Sequence, residues 1–324
     1  MAFPPLRLRS ALRLGGLTTR ELVAKTWKAM DDHEIQTRAA AVSFYAMLAM
    51  VPFIGLVLTL SVQLLPDLTG ASPRVNGLGN LTVAQLTAIL EKALPPEAAD
   101  QIKAEIASIQ QKPPVGLISI GLAITLWLAS SLFVAVIDAM NRIYGVQERR
   151  GFAKLRLLAI VMTLVQAAIL VGSLVAVVGS NVVMSKLGLS GSGGFIGAAV
   201  LYGTVMVMVL LSFALTFYVA PDADQSWEWI TPGSVAGSML FLGATFLFRI
   251  YVHNFGNYSK TYGPLGGVMV LLFWFWISSL ILLGAAQVNK VIEEASPLGK
   301  NYGQRTNMAE APDFDAMKPT PLNS

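Results

Sequence analysis

Six long apolar segments constrain the fold of this chain more than any other feature. They occupy residues 41–65, 115–137, 157–179, 195–220, 233–252 and 265–288. Each has about the 20 residues that an α-helix needs to cross the hydrocarbon core of a bilayer. Lipid offers no hydrogen-bond partners, so a spanning segment must satisfy its backbone internally, as a helix does. The sequence therefore predicts an all-α, polytopic membrane bundle of six transmembrane helices.

The composition supports the membrane class and excludes several others. Hydrophobic residues make up 54% of the chain and charged residues only 13%, against about 25% charged in soluble domains. The absence of cysteine excludes disulfides, thiolate metal sites and cysteine nucleophiles. The two histidines, His33 and His253, leave little for a zinc or triad enzyme. We expect no metal, no cofactor and no nucleic-acid partner.

Three polar segments surround or interrupt the membrane domain, which we place at 41–294. Residues 1–40 form a basic, amphipathic lead-in, predicted to include an interfacial helix with Trp27 at the membrane boundary. Residues 66–114 carry helical patterning on either side of paired prolines, which predicts a small helical hairpin between the first two spans. This hairpin either caps the bundle or gates it. Residues 295–324 lack apolar periodicity and are predicted to be disordered.

The distribution of cations predicts the orientation of the chain. Seven lysines and arginines precede the first span, and five lie between 138 and 156. The connectors on the other side have four in 66–114 and one in 180–194. Because cytoplasmic loops are enriched in cations, both termini are predicted to be cytoplasmic. The loop 221–232 is the exception, since it has three acids and no cation.

A polar stretch that joins the last two spans supplies the first group of candidate functional residues. Lipid cannot hydrogen-bond such side chains, so they are expected to face protein or a water-filled cavity. Arg249 is expected to point inward and to offer a bidentate site to phosphate. The alternatives are an arginine that snorkels to the headgroups and an ordinary tight loop with a helix end. The candidates are Arg249, His253, Tyr258, Lys260, Tyr262, Gln287 and Asn289.

A second group of candidates lies near the first two spans. Asp138 and Arg142 are four residues apart and so share one helix face. They either neutralise each other or line the cytoplasmic side of a pathway, and both interpretations remain open. For Tyr45 and Ser43, the alternatives to a functional role are an interfacial tyrosine and a serine that serves helix packing. The group comprises Arg38, Ser43, Tyr45, Asp138, Asn141 and Arg142.

A third group has predicted structural roles. Pro52 is expected to kink the first span. Gly233 and Gly237 form a small-xxx-small face, which indicates close helix packing, within the chain or in a dimer. Gln166, the polar residue deep in the third span, is expected to form a helix–helix hydrogen bond. The connector before the last span is shaped by Gly263, Pro264, Gly266 and Gly267.

An ordered set of sequence blocks over residues 20–295 resembles the YihY/BrkB family of membrane proteins. One departure is Gln287, because the family often carries an acid at this point after its final Gly-Ala. A proton- or cation-coupling role of that acid is therefore not carried over. The blocks are Arg38-Ala39-Ala40-Ala41 with Ser43-Phe44-Tyr45 and Pro52; Asn141-Arg142-Ile143-Tyr144 with Arg149; Tyr218-Val219-Ala220-Pro221; Pro232-Gly233-Ser234; and Tyr258 to Gly267 with Trp274, Ser278-Ser279 and Gly284 to Asn289.

The resemblance implies a multi-pass protein of the bacterial inner membrane, which would make the hairpin periplasmic. Family members have carried the name ribonuclease BN, while other proposals for the family point to export or lipid movement. RNA hydrolysis needs carboxylate-held metals or a general acid–base pair, and the acids of this chain are scattered over loops. We therefore expect no enzyme.

Two functional hypotheses follow. The first is a transporter that moves a lipid or an anionic solute through a polar cavity near the first, fifth and sixth spans, with membrane lipids as partners. The alternative is a non-catalytic membrane scaffold or envelope-assembly partner. The sequence makes no prediction of the oligomeric state.

Overall fold

The structure, a computed structural model, describes residues 14–68, 120–186, 194–225, 230–254, 264–296 and 299–305. Over these ranges the chain is all-helical, with no strand. A short 3₁₀ turn at Leu14–Gly16 precedes seven α-helices. The helices are α1 Thr19–Asp32, α2 Ile35–Leu68, α3 Ile120–Tyr144, α4 Phe152–Lys186, α5 Gly194–Val219, α6 Pro232–Asn254 and α7 Pro264–Ala295.

Five of these helices are long and apolar enough to cross a membrane. The candidate spans are Leu126–Tyr144 in α3, Phe152–Ser173 in α4, Tyr202–Val219 in α5, Pro232–Val252 in α6 and Gly266–Ala295 in α7. Five predicted spans therefore fall in membrane-competent helices. The predicted first span lies within α2, which continues through Pro52. The predicted hairpin falls almost entirely on residues 69–119, which lie outside the described part of the chain.

Local sequence signals set several helix ends. Thr18 and Glu21 form a reciprocal capping box at the start of α1. Gly145 ends α3 with a φ of +68°, and the Val146 N–H donates to the Asn141 carbonyl at 2.9 Å, as in a Schellman motif. The Thr231 hydroxyl accepts from the Ser234 N–H at 3.0 Å and so caps α6, whose first residue is a proline.

The largest buried apolar cluster lies where α2, α3 and α7 converge. α3 also packs against α4, and α7 against α6. Much of the remaining apolar surface of the spans is exposed, as expected of helices that face lipid. The cluster includes Ile35, Ala39, Val136, Ile137, Met140, Ile143, Leu283 and Ala286.

Small residues bring α6 and α7 into close contact. A Cβ atom added to Gly233 would lie 2.2 Å from the Ala285 carbonyl oxygen, and one added to Gly237 would lie 2.6 Å from the Ala285 Cβ. Such distances leave no room for a side chain. The predicted small-residue face therefore packs within the chain.

The predicted hydrogen bond of Gln166 is confirmed between α4 and α5. Its Nε2 donates to the Thr216 hydroxyl at 3.1 Å, and its Oε1 accepts from the Ser212 hydroxyl at 2.7 Å. The pairing satisfies an amide within the apolar part of the bundle, where water cannot do so.

The chain continues past α7 as a short ordered segment that folds back onto the bundle. Residues 299–305, which we call the C-terminal segment, contact the ends of α3, α5 and α7 through hydrogen bonds and ion pairs. The prediction of a disordered tail from residue 295 does not hold for these residues, because their polar groups are paired with the bundle. Residues 306–324 lie outside the described part.

Candidate functional site

Polar and charged side chains from five separate parts of the described chain meet at one end of the bundle. The α1–α2 turn, the α3–α4 loop, the α5–α6 loop, the last turns of α7 and the C-terminal segment all reach this end. We call the set the polar junction. It consists of His33, Asn141, Glu148, Arg150, Asp222, Gln287, Asn289, Lys290, Glu293, Lys300, Tyr302 and Arg305.

Three polar residues in one turn of α7 contact three different neighbours. Successive side chains of a helix are about 100° apart, so Gln287, Asn289 and Lys290 project in different directions. The buried Gln287 has its Oε1 2.8 Å from the His33 Nδ1. Asn289 accepts from the Gly233 N–H at 2.7 Å and donates to the Thr231 hydroxyl at 2.9 Å. Asn289 thus provides hydrogen-bond partners for a backbone N–H and for the capping residue at the start of α6.

Lys290 is fully buried and holds the C-terminal segment. Its side chain is 0% exposed, and its ammonium donates to the carbonyls of Lys300 at 2.8 Å and Asn301 at 3.1 Å. The Glu293 and Glu294 carboxylates each lie 3.7 Å away. A buried ammonium is tolerated only with such partners.

Lys300 is the second buried lysine of the junction. Its side chain is 1% exposed, and its ammonium lies 3.5 Å from the Glu293 Oε1. It also donates to the Asp224 carbonyl in the α5–α6 loop. The two ammonium groups therefore share Glu293, and Lys300 ties the C-terminal segment to both α7 and the loop.

Asp222 joins two loops to the C-terminal segment. Its Oδ2 accepts from Arg305 Nη1 and from the Arg149 N–H, each at 2.8 Å. The Arg150 guanidinium lies 3.9 Å from its Oδ1. Burial alone would raise the pKa of Asp222, but the hydrogen bonds from Arg305 and Arg149 and the two guanidinium charges hold it below its ordinary value.

Glu148 and Arg150 form a bidentate pair within the α3–α4 loop. Arg150 Nε and Nη2 donate to the two Glu148 oxygens, both at 2.7 Å. Arg150 also donates to the Ala220 carbonyl at 2.9 Å. Burial would raise the pKa of Glu148, yet the hydrogen bonds from Arg150 and Asn141 lower it overall. Asn141 completes the connection, because its Oδ1 accepts from the Asp222 N–H at 2.7 Å.

An aromatic stack links the N-terminal and C-terminal parts of the chain. The rings of His33 and Tyr302 lie parallel, with centroids 5.1 Å apart. The Gly303 N–H donates to the Tyr144 carbonyl at 2.9 Å. Gly145 permits this approach, since a Cβ atom there would meet the Tyr302 ring at 2.6 Å.

Three of the predicted candidate residues, Asn141, Gln287 and Asn289, belong to the polar junction. The predicted pairing of Asp138 with Arg142 is wrong, because Asp138 instead pairs with Arg38 of α2 at 2.7 Å. The packing of α2 on α3 places that guanidinium nearer than the exposed Arg142 side chain.

Ser43 and Tyr45 have different surroundings on α2. The buried Ser43 hydroxyl donates to the Ala40 carbonyl of its own helix at 2.7 Å. The Tyr45 side chain is exposed. Neither contacts the polar junction.

The described candidates near the α6–α7 connector, Arg249, Gly266 and Gly267, do not lie at the polar junction. Gln287 lies about 34 Å along α7 from Pro264, at 1.5 Å per residue, so the two ends of α7 cannot form one cluster. Arg249 is exposed near the opposite end of α6. Gly266 is buried and Gly267 partly buried in the first turn of α7. The side chain of His253, and Tyr258, Lys260, Tyr262 and Gly263, lie outside the described residues.

Most of the charged residues of the junction are not recognisable from the sequence. They come from three separate parts of the chain, and only the fold brings these parts together: Glu148 and Arg150, Asp222, and Lys300 and Arg305. One signal was present, namely the acids of the loop 221–232 that lacked local cations. The structure pairs Asp222 of that loop with arginines from two other segments.

The junction is not arranged as a metal site. Among the described residues there is no group of three or more histidines and carboxylates that could hold a metal ion. Asp222, Glu148 and Glu293 instead face guanidinium or ammonium groups. Asp222 and Glu293 each contact a cation of the C-terminal segment, whereas Glu148 pairs with Arg150 of its own loop.

Comparison with known proteins identifies relatives along nearly the whole chain. The chain is similar to a putative ribonuclease-like protein YfkH of Bacillus subtilis (strain 168), with 27% identity over 270 residues, or 82% of this chain and 93% of the relative. It is also similar to a UPF0761 membrane protein of Psychromonas ingrahamii, with 24% identity over 281 residues, or 85% and 89% of the two chains. No solved structure matches it.

The family model described as Virulence factor BrkB matches residues 26–309. The match contains α2 to α7 and every residue of the polar junction, and it agrees with the blocks through which the sequence resembles that family. The chain is therefore a membrane protein that belongs to the Virulence factor BrkB family.

Proposed function

We propose that this chain is a six-span inner-membrane protein that moves a phospholipid or an anionic solute across the bilayer. The observation that carries the proposal is the polar end of α7, where the buried Gln287 and Lys290 continue directly from an apolar span. Ionisable and amide groups placed inside a membrane bundle are costly and commonly mark substrate pathways.

The common position of the loops supports six spans. The α1–α2 turn, the α3–α4 loop, the α5–α6 loop and the C-terminal segment all lie at the polar junction. A chain that returns to the same end three times makes an even number of crossings between returns. α4 pairs with α5 and α6 with α7 in this way, so α3 needs α2 as its partner, and α2 would be the first of six spans. Pairing of Asp222 with Arg150 and Arg305 also accounts for the acidic loop on a side that the cations make cytoplasmic.

The state of the acids favours transport over catalysis. A nuclease needs carboxylates that are free to hold metal ions or to exchange protons with water. Glu148, Asp222 and Glu293 are instead paired with cations of the same chain. The words ribonuclease-like belong to the name of the Bacillus relative.

A scaffold is the second candidate function, and α1 is the observation that favours it. Val23 and Trp27, four residues apart, are 68% and 70% exposed, so α1 presents an apolar strip next to the bundle. A cytoplasmic partner could bind this strip without any movement of solute. A bundle without an internal water-filled path, which moves neither lipid nor solute, would favour the scaffold function.

Reconstitution tests the proposal. Purified protein is placed in liposomes that carry labelled phospholipids in one leaflet, and the loss of leaflet asymmetry is followed. We expect movement faster than in protein-free liposomes. Lys290→Met should slow it, whereas Lys154→Met, at an exposed lysine of α4, should not. The assay is repeated with a panel of lipids and anionic solutes. If the rates of movement with and without folded protein are equal for every member of this panel, the proposed function is wrong.

A further inference from the structure

Lys300 occupies a small charged site with two chemically different groups. Its carbonyl oxygen accepts from the Lys290 ammonium at 2.8 Å. Its own ammonium lies 3.5 Å from the Glu293 carboxylate and donates to the Asp224 carbonyl. One residue thus offers an oxygen acceptor to a cation and a primary ammonium to an anion.

The groups that contact Lys300 belong to the helical bundle and its loops, whereas Lys300 itself lies beyond the last helix. Lys290 and Glu293 belong to α7, and Asp224 belongs to the α5–α6 loop. The Lys290 side chain is 0% exposed, so water does not compete for its ammonium. Lys300 arrives on the C-terminal segment, beyond the end of the last helix.

We propose that this site binds the headgroup of a phospholipid that carries a primary ammonium beside its phosphate, and that Lys300 is an internal stand-in for that headgroup. A phosphate oxygen would replace the Lys300 carbonyl at Lys290, and the ammonium of the headgroup would replace that of Lys300 at Glu293. A charged phosphate is a stronger acceptor than a neutral carbonyl. The inference rests on the proposed movement of lipids and specifies their class.

The charges that remain after Lys300 leaves favour this class over a purely anionic ligand. Lys290 would then face the two carboxylates of Glu293 and Glu294, each 3.7 Å away. A ligand with only negative charge would be attracted by one ammonium, that of Lys290, and repelled by both carboxylates. A ligand that also brings an ammonium compensates Glu293, and this difference provides the specificity.

The position of the site fits a lipid headgroup. It lies in the last turns of α7, where the apolar side chains of the span give way to polar ones. Headgroups occupy the corresponding depth at the edge of the hydrocarbon core. The bonds that hold the segment, Arg305 to Asp222 and Gly303 to Tyr144, are separate from the site. These bonds can form again after a lipid headgroup has replaced Lys300 at Lys290.

The test measures binding, so that it does not depend on transport. Detergent-solubilised full-length protein is titrated with short-chain phosphatidylethanolamine, with short-chain phosphatidylglycerol and with free phosphoethanolamine. Lys300→Met removes the competing ammonium and should tighten phosphatidylethanolamine binding about tenfold, which corresponds to 1.4 kcal/mol. Lys154→Met, at an exposed lysine of α4 outside the site, should bind like wild type. Lys300→Met with Glu293→Gln should lose the preference for the amine.

The outcomes separate the two proposals. Tighter phosphatidylethanolamine binding by Lys300→Met, together with weak binding of free phosphoethanolamine, supports the site and a lipid source. If Lys300→Met, folded as judged by its elution and melting, binds both lipids alike or neither lipid, the inference is wrong. Binding without movement of any lipid or anionic solute in liposomes would leave the site intact and remove the proposed function. Tight binding of free phosphoethanolamine alone would overturn the lipid assignment.

Discussion

Two carboxylates at the polar junction, Asp222 and Glu148, hold the C-terminal segment and the α3–α4 loop in a charge-dependent way. Asp222 accepts from Arg305 at 2.8 Å, and Glu148 pairs bidentately with Arg150. Both pairs are partly shielded from solvent. They therefore resist screening better than exposed ion pairs, whose contribution is small.

The pH dependence follows from the direction of the pKa shifts. Both carboxylates have pKa values below their ordinary 3.8 and 4.5. Their contribution to stability is therefore complete above these ordinary values and is lost as the pH falls through the lower, folded-state values. In the absence of a competing lipid, we expect the C-terminal segment to stay bound at neutral pH and to detach in acid below pH 3.8.

A fluorophore can report this detachment, because the natural chain has no cysteine. A single cysteine at the exposed Asn301 is labelled at neutral pH, and its emission is followed during acidification. The same label at Tyr202, which is exposed on α5, is the control. A transition at Asn301 above pH 4.5 would contradict the assignment to these carboxylates.

The site depends most directly on the contact between helices α6 and α7. It positions Asn289 against the start of α6 and so sets the depth of Lys290, one residue further on. Gly237 has no room for a methyl group, since an added Cβ would meet the Ala285 Cβ at 2.6 Å. Gly243 in the same helix has nothing within 4 Å of an added Cβ.

The two glycines form a matched pair of tests. Gly237→Ala should destabilise the protein by about 1–3 kcal/mol, because overpacking forces the helices apart. Gly243→Ala should be neutral or stabilising, since alanine favours a helix over glycine by about 1 kcal/mol. Thermal unfolding in detergent measures both. Equal melting temperatures for the two variants would show that the close contact is not formed.

The helices could be predicted because their causes are local. The length of the apolar segments predicted α3 to α7, and small residues at four-residue spacing predicted a close contact of α6 without specifying its partner. The charged half of the site could not be predicted in this way. Lys300 reaches Asp224 across 76 positions and Arg305 reaches Asp222 across 83, and nothing in the local sequence specifies either pairing. Likewise, Arg38 rather than Arg142 pairs with Asp138, since helix packing determines which guanidinium is nearest.

At the scale of the whole molecule, the polar junction connects both terminal parts of the chain. Gly15 lies against the Ile292 carbonyl, His33 contacts Gln287, and Lys300 contacts Glu293. The end of α7 is therefore held from the N-terminal and the C-terminal sides. This arrangement requires both terminal segments to lie on one side of the membrane.

Fused reporters test that requirement. A reporter after Ser324 should be cytoplasmic, and one inserted within residues 97–112 should be periplasmic, because α2 separates the latter from the junction. Activity assays for compartment-specific reporters measure each location. Finding both reporters on one side would rule out six spans.

A reversible restraint on the C-terminal segment tests the central claim most directly. Cysteines at Asp224 and Gln304 would lie close together, because the Asp224 N–H donates to the Arg305 carbonyl at 3.0 Å. A short cleavable linker between these thiols then holds Lys300 in its site. In liposomes with labelled phosphatidylethanolamine, we expect lipid movement by the unlinked variant, arrest after linking and recovery after cleavage. Unchanged movement in the linked protein would show that lipid does not need the Lys300 site, and would contradict the account.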